Sequence, residues 1–213
     1  MRTDRYRDLL PTEKLAATSC TIVGVGAIGR QVGLQLSAMG VAEVQLIDFD
    51  TVEEVNLGPQ AYLADDVGRT KVSATADLMQ QLNPMLGVYT VPERFAKSTV
   101  VHPVVFCCVD SIDTRRHIWQ SVRDRASLFV DGRMAAEVMR IITVSGSQGR
   151  DRYPGTLFAA GEAHRERCTA RSTIYCANIA AGLMVTQFAK WLRGVEPDFE
   201  VSLNLLACEL AVS

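Results

Sequence analysis

The chain is poor in the patterns that build metal clusters. Its histidines, His102, His117 and His164, have no ligand spacing. Its six cysteines, Cys20, Cys107, Cys108, Cys168, Cys176 and Cys208, form no C-x-x-C pair. No zinc is therefore expected. A basic excess is also missing. The net charge is −2, so neither a nucleic acid nor a membrane is the expected partner. No apolar run approaches the ~20 residues that a membrane helix needs. Met1 to Tyr6 are polar and charged, which argues against a secretory signal. The cytoplasm is the expected compartment, with the thiols reduced. Repeats and low-complexity stretches are absent. What is there is ordinary for one packed domain: 213 residues, 48% hydrophobic and 22% charged.

The pattern of apolar residues alternates strand and helix over the first ~130 residues. Residues 1–18 read as a polar helical arm. A strand at Cys20–Gly24 leads into a glycine turn and a helix over Ala27–Met39, whose Ile28, Val32, Leu36 and Met39 share one face. Gly40 closes that helix. A strand at Val44–Asp48 follows, then a long loop from Phe49 to Val67, of the kind that is usually functional. A helix is predicted at Thr70–Leu82, strands at Val88–Val91 and Pro103–Val109, a helix at Thr114–Arg125 and a strand at Ser127–Asp131. Beyond this point the alternation changes. Glu137–Val144 reads as an antiparallel strand, 145–171 as loop, Ser172–Leu192 as a long helix and Val201–Leu206 as a last apolar segment. The expectation is a single α/β domain with a Rossmann-like, doubly wound, mostly parallel sheet over 19–131. A smaller antiparallel and helical extension would occupy 132–213.

Gly24-Val-Gly26-Ala27-Ile-Gly29 fits G-x-G-x-x-G and lies between a strand and a helix. Gly24 permits the tight turn, Gly26 lets a phosphate approach, and Gly29 allows helix and sheet to pack closely. The helix N-terminus offers N–H groups to an anion. Asp48, 19 residues beyond Gly29, ends the second strand, where a carboxylate can hold ribose hydroxyls. A nucleotide is the expected ligand, the alternative being a glycine turn that only packs; which nucleotide stays open, since a nicotinamide or flavin dinucleotide fits equally well.

The next motifs are more specific. Asp48-Phe-Asp50-Thr-Val is followed by Asn56-Leu-Gly-Pro-Gln60, then Gly68-Arg69-Thr-Lys71, and later by Asp110 and Thr114-Arg115. Over residues 20–130 this order resembles the ThiF/MoeB/HesA family of ubiquitin-like protein activating enzymes. The resemblance implies adenylation of the C-terminal glycine carboxylate of a ubiquitin-like or sulfur-carrier protein, with ATP and Mg²⁺ as cofactors. It also implies a homodimer and, in some pathways, a conjugating enzyme. By that resemblance Gly24, Gly26, Ala27 and Gly29 cradle the nucleotide and Asp48 and Asp50 lie at its ribose end. Asn56 and Gln60 reach the phosphates, Lys71 is a point charge on them, and Asp110 holds Mg²⁺. Each reading has a plainer alternative. Lys71 could be an exposed helix lysine. Asp110 could be a helix N-cap, although Asp113 is the better cap candidate.

Two departures stand out. The family places arginine where this chain has Pro59, so a charge-stabilising group is missing. Arg69 belongs to a different motif. Arg7 or Arg5, in an arm that the family uses to complete the partner subunit's site, is the reserve, and its alternative is a solvated charged helix. The second departure is the lack of the two C-x-x-C pairs that many bacterial members use for zinc. Cys168, within Arg165-Glu-Arg167-Cys168-Thr-Ala-Arg171, resembles the thioester cysteine of the eukaryotic members. Its arginines and the helix that follows would favour a thiolate; the alternative is a cysteine that only packs. Cys20, Cys107, Cys108 and Cys176 read as core. Two rival functions remain: a non-catalytic scaffold, motivated by Pro59, and an NAD-dependent oxidoreductase.

Overall fold

The computed structural model describes residues 8–158 and 173–213. Within the described residues of the arm, helix α1 spans Thr12–Ala16. Strand β1 (Ser19–Val23) leads to α2 (Ala27–Met39), which ends at Gly40 in the left-handed region. Strand β2 (Glu43–Ile47) follows. The predicted loop is not structureless: it holds a 3₁₀ turn at Glu54–Asn56, the short α3 (Leu57–Gln60) and a second 3₁₀ turn at Ala64–Asp66. Their single turns carry no amphipathic period to read. Helix α4 (Lys71–Leu82) begins at Thr70, whose Oγ1 accepts the Ser73 N–H. Such a cap contributes about 1 kcal/mol.

Strands β3 (Gly87–Val91) and β4 (Val104–Cys107), helix α5 (Ile112–Val122) and strand β5 (Leu128–Ala135) complete the alternating part. Strand β5 runs past the predicted Asp131 because it pairs antiparallel with β6 (Val138–Val144) through a tight hairpin. The stretch after 145 is a further correction. It contains α6 (Ser147–Arg152) and a 3₁₀ turn at Tyr153–Thr156. The long helix is α7 (Ile174–Leu192). The last apolar segment is β7 (Glu200–Asn204), and β8 (Glu209–Val212), which the sequence reading missed, closes a hairpin with it. All four residues of β8 are exposed, so no buried face marks it in the sequence.

The eight strands form one sheet in the order β3-β2-β1-β4-β5-β6-β7-β8. The first five are parallel, as right-handed strand–helix–strand units require, and the last three are antiparallel. Both faces are covered. Ile22, Leu46, Phe106, Val130 and Ile141 pack against Val32 and Leu36 of α2, Met79 of α4, and Met184 and Phe188 of α7. On the other face Val23, Ile47, Val105, Phe129 and Ile142 meet Ile118, Trp119 and Val122 of α5 and Tyr153. Each fully buried large side chain contributes about 1.5–3 kcal/mol. Strand β4 is apolar at every position because both of its faces are covered. The strand order reverses between β1 and β4, which opens a crevice at their carboxyl ends.

Candidate nucleotide site

The glycine turn lies at that crevice. Gly24 has φ +88°, and a Cβ there would meet the Cys108 carbonyl at 2.8 Å. Only glycine lets the end of β1 pass so close to the end of β4. A Cβ on Gly29 would lie 1.9 Å from the Gly24 oxygen, so α2 packs directly on the turn. At Gly26 a Cβ would meet nothing nearer than Gln60 Oε1, at 3.9 Å. The backbone there is open to a ligand. Gly26 is the N-cap of α2 and supplies no side-chain cap, so the first-turn N–H groups keep their donors for an anion.

Asp48 joins the tip of β2 to this turn. Its Oδ2 accepts the Val25 N–H at 2.6 Å and its Oδ1 accepts the Asp50 N–H at 2.9 Å. Burial raises its carboxyl above the ordinary value, while these two N–H groups and Lys71 pull it back. Lys71 is buried, which removes the exposed-lysine alternative, and its Nζ donates to Asp50 Oδ2 at 2.8 Å. Asn56 Oδ1 accepts the Glu53 N–H at 2.9 Å in a reciprocal capping box that orders the long loop. Gln60 Oε1 is buried with no hydrogen-bond partner among the described residues. An orphaned acceptor facing an open glycine backbone is a site built for something else to fill. Tyr62, buried, donates to the Val25 carbonyl at 2.6 Å.

Asp110 follows β4 at the opposite wall of the crevice and is exposed. It does not cap α5. Nor does Asp113, which lies inside the first turn and pairs with Arg116. The cap is Ser111, whose Oγ accepts the Thr114 N–H. Among the described residues no side chain pairs with Asp110, which leaves its carboxylate available to a ligand. Among the described residues no group of three or more His, Cys, Asp or Glu surrounds a common point. A cation at Asp110 would draw its other ligands from phosphate oxygens and water, as Mg²⁺ commonly does. The residues present fit that group.

The reserve residues are less informative. Arg5, Arg7, Cys168 and His164 lie outside the described residues. Arg69 is held by Asp66 and Asp77 and does not replace the arginine missing at Pro59. Cys20, Cys107 and Cys176 are buried, Cys108 is half-buried and Cys208 is exposed. Burial pushes the Cys20 and Cys108 thiols up. His102 pairs with Glu43, and His117 lies edge-on to Phe95.

Two buried clusters escaped the sequence reading. Arg30 of α2 is fully buried between α2 and α4. It donates to Thr75 Oγ1 at 2.9 Å and lies over the Tyr62 ring at 4.0 Å. A lone charge in an otherwise uncharged helix was the available signal. Asp131 of β5 is fully buried against Arg115, Arg133 and Tyr153. It ends an apolar run, Leu128-Phe-Val-Asp131, just as Asp110 ends its own.

Comparison with known proteins gives the family and the fold. The ThiF family model matches residues 5–210. The molybdopterin-synthase adenylyltransferase of Haemophilus influenzae is 31% identical over 112 residues, 50% of this chain and 46% of the relative. The SAMP-activating enzyme E1 of Haloferax volcanii is 38% identical over 93 residues, 43% of this chain and 34% of the relative. The chain thus matches less than half the length of either. Among solved structures, E. coli MccB with ATP has a TM-score of 0.76 at 18% identity, covering 100% of this chain and 71% of that one. No described helix is long and apolar enough to cross a membrane.

Proposed function

The chain belongs to the ThiF family, and from that premise we propose that it uses ATP to adenylate a protein carboxylate. The single observation that carries the reading is the placement of Gly26, Asp48 and Asp110 just beyond the carboxyl ends of the neighbouring parallel strands β1, β2 and β4, beside the strand-order reversal. The adenylyltransferase relatives support ATP as the nucleotide. They argue against the oxidoreductase alternative.

In this reading the phosphates rest on the open backbone at Gly26 and Ala27 and on the α2 N-terminus. Asp48, already fixed by two N–H groups, accepts from the ribose hydroxyls. Asn56 and Gln60 reach the phosphates through their amide N–H groups, and the orphaned Gln60 oxygen is left to accept from a hydroxyl or water of the bound nucleotide. Lys71 exchanges part of its contact with Asp50 for phosphate oxygens. A divalent cation held by Asp110 would supply positive charge against the phosphates when bound. The incoming carboxylate oxygen attacks the α-phosphorus. The bond from that phosphorus to the β-bridging oxygen breaks, and pyrophosphate leaves with the electron pair. The product is an acyl-adenylate. The protein's own work is orientation and charge stabilisation.

The acceptor is a ubiquitin-like or sulfur-carrier protein ending in glycine, in line with the names of the relatives. Transfer onward to Cys168 as a thioester rests on the sequence around that residue, as does a role for Arg7 across a homodimer. The test is carrier-dependent exchange of labelled pyrophosphate into ATP. Lys71→Ala and Asp110→Ala should each lower it about 10²–10³-fold. Cys168→Ala should keep exchange and lose a thiol-sensitive carrier adduct. Pro59 favours a second reading, a family member that binds ATP without turnover. Tight Mg-ATP binding with no exchange beside the cognate carrier would select it.

A further inference from the structure

We propose that Asp131 is a positioning residue that sets where Asp110 stands, acting through Arg115. The inference rests on the adenylation reading for its catalytic consequence, but not for its geometry. Asp110 sits in the short connection between β4 and α5. Upstream, the Cys108 N–H donates to the Val23 carbonyl at 2.8 Å. Downstream, Ser111 caps α5. Between them the Val109 carbonyl, one residue before Asp110, accepts from Arg115 Nη2. The same Nη2 donates to the Gly132 carbonyl at 3.0 Å, and Arg115 Nη1 donates to Asp131 Oδ1. One planar guanidinium therefore locks the Asp110 connection to β5.

Asp131 is what aims that guanidinium. It is fully buried, and its other oxygen accepts from Arg133 Nε and from the Tyr153 hydroxyl, each at 2.9 Å. Arg133 in turn donates to the Thr156 carbonyl at 2.8 Å and to Thr156 Oγ1 at 3.0 Å. One carboxylate oxygen is thus fixed by two partners, and the other is given to Arg115. Lysine could not replace Arg115, because one ammonium cannot hold a carboxylate and a strand carbonyl in a fixed fork. Asp131 touches none of the groups assigned to the nucleotide, so any effect it has on chemistry passes through the connection.

The experiment compares Asp131→Asn, Arg115→Lys and Tyr153→Phe in the full chain. Tyr153→Phe removes a bond from the same carboxylate but leaves the hold on Val109. Amide hydrogen exchange of the segment 108–113 should speed up about tenfold in the first two variants and stay unchanged in the third. Mn²⁺ affinity of the ATP complex should weaken about tenfold in the first two only. In carrier-dependent exchange they should lose kcat by up to about 10²-fold, the scale of a 1 Å misplacement, with the KM for ATP within about twofold. If Asp131→Asn does not fold, Arg115→Lys carries the same three readings. Unchanged protection of 108–113 in the folded variants would overturn the proposal. Equal effects in all three variants, tracking their stability, would overturn it too. Should the wild type show no adenylation at all, the amide measurement still decides the positioning, so the two failures separate.

Discussion

Two buried arginines flank the crevice, and they are housed differently. Arg115 has three acceptors: a carboxylate oxygen, the Gly132 strand carbonyl and the Val109 carbonyl of the β4–α5 connection. Arg30, on the other side, has one hydroxyl acceptor and an aromatic face. Its Nε and Nη2 have no hydrogen-bond partner among the described residues, and Asp66 Oδ2 is 3.9 Å from Nη2. Burial pushes both guanidinium values down. A buried ion pair that is fully bonded is costly to break from one side, whereas a buried charge with unmade bonds stabilises little. The difference teaches that the wall carrying Asp110 is rigidly specified, while the wall under the glycine turn holds a charge whose bonding is incomplete.

The comparison makes graded predictions for unfolding free energy from denaturant titrations. The largest effect is expected for Asp131→Ala, which leaves two guanidiniums facing each other and should cost about 3–5 kcal/mol. Next come the paired changes Arg115→Met and Arg30→Met. The first strips the Val109 and Gly132 carbonyls of a charged donor and should cost about 2–3 kcal/mol. The second should fall within about 1 kcal/mol of neutral, or stabilise. Equal losses would break the contrast. Smaller still is the contrast within the tyrosine pair. Tyr153→Phe removes a bond to a charged carboxylate and should cost about 2 kcal/mol, while Tyr62→Phe removes one to a neutral carbonyl and should cost about 1 kcal/mol.

The smallest effect belongs to a half-exposed pair on the antiparallel extension. Arg140 grips Glu200 with two nitrogens and holds its carboxyl below the usual value. Between the lowered native value and the unfolded one, only the unfolded chain is protonated, so stability rises with pH there. The contribution is full above the ordinary glutamate value of about 4.3 and fades as pH falls through the native one. Glu200→Gln should therefore flatten the acid limb of the stability curve by under about 1 kcal/mol.

Much of the fold was legible because its signals are local. Val104-Val-Phe-Cys107, short and apolar throughout, reads as a strand covered on both faces, and Gly24, Gly26 and Gly29 mark a turn because they lie between a strand and a helix. Asp48 and Asp110 were legible as acids ending apolar runs. Strand β8 and α6 were not, since one is exposed throughout and the other is a bare turn and a half with no buried face. Lys71 was found by its motif, but its pairing with Asp50 was not, because that contact joins residues 21 apart across the long loop.

By itself the sequence determined the main alternation of strands and helices and the place of the glycine turn, since hydrophobic period and backbone freedom are properties of neighbouring residues. Tertiary structure alone decided which charges were buried and with whom. Arg30 meets Thr75 across 45 residues, and Arg115 meets Asp131 across 16. Such partners are chosen by the packing of separate elements, and no local pattern in the chain encodes them.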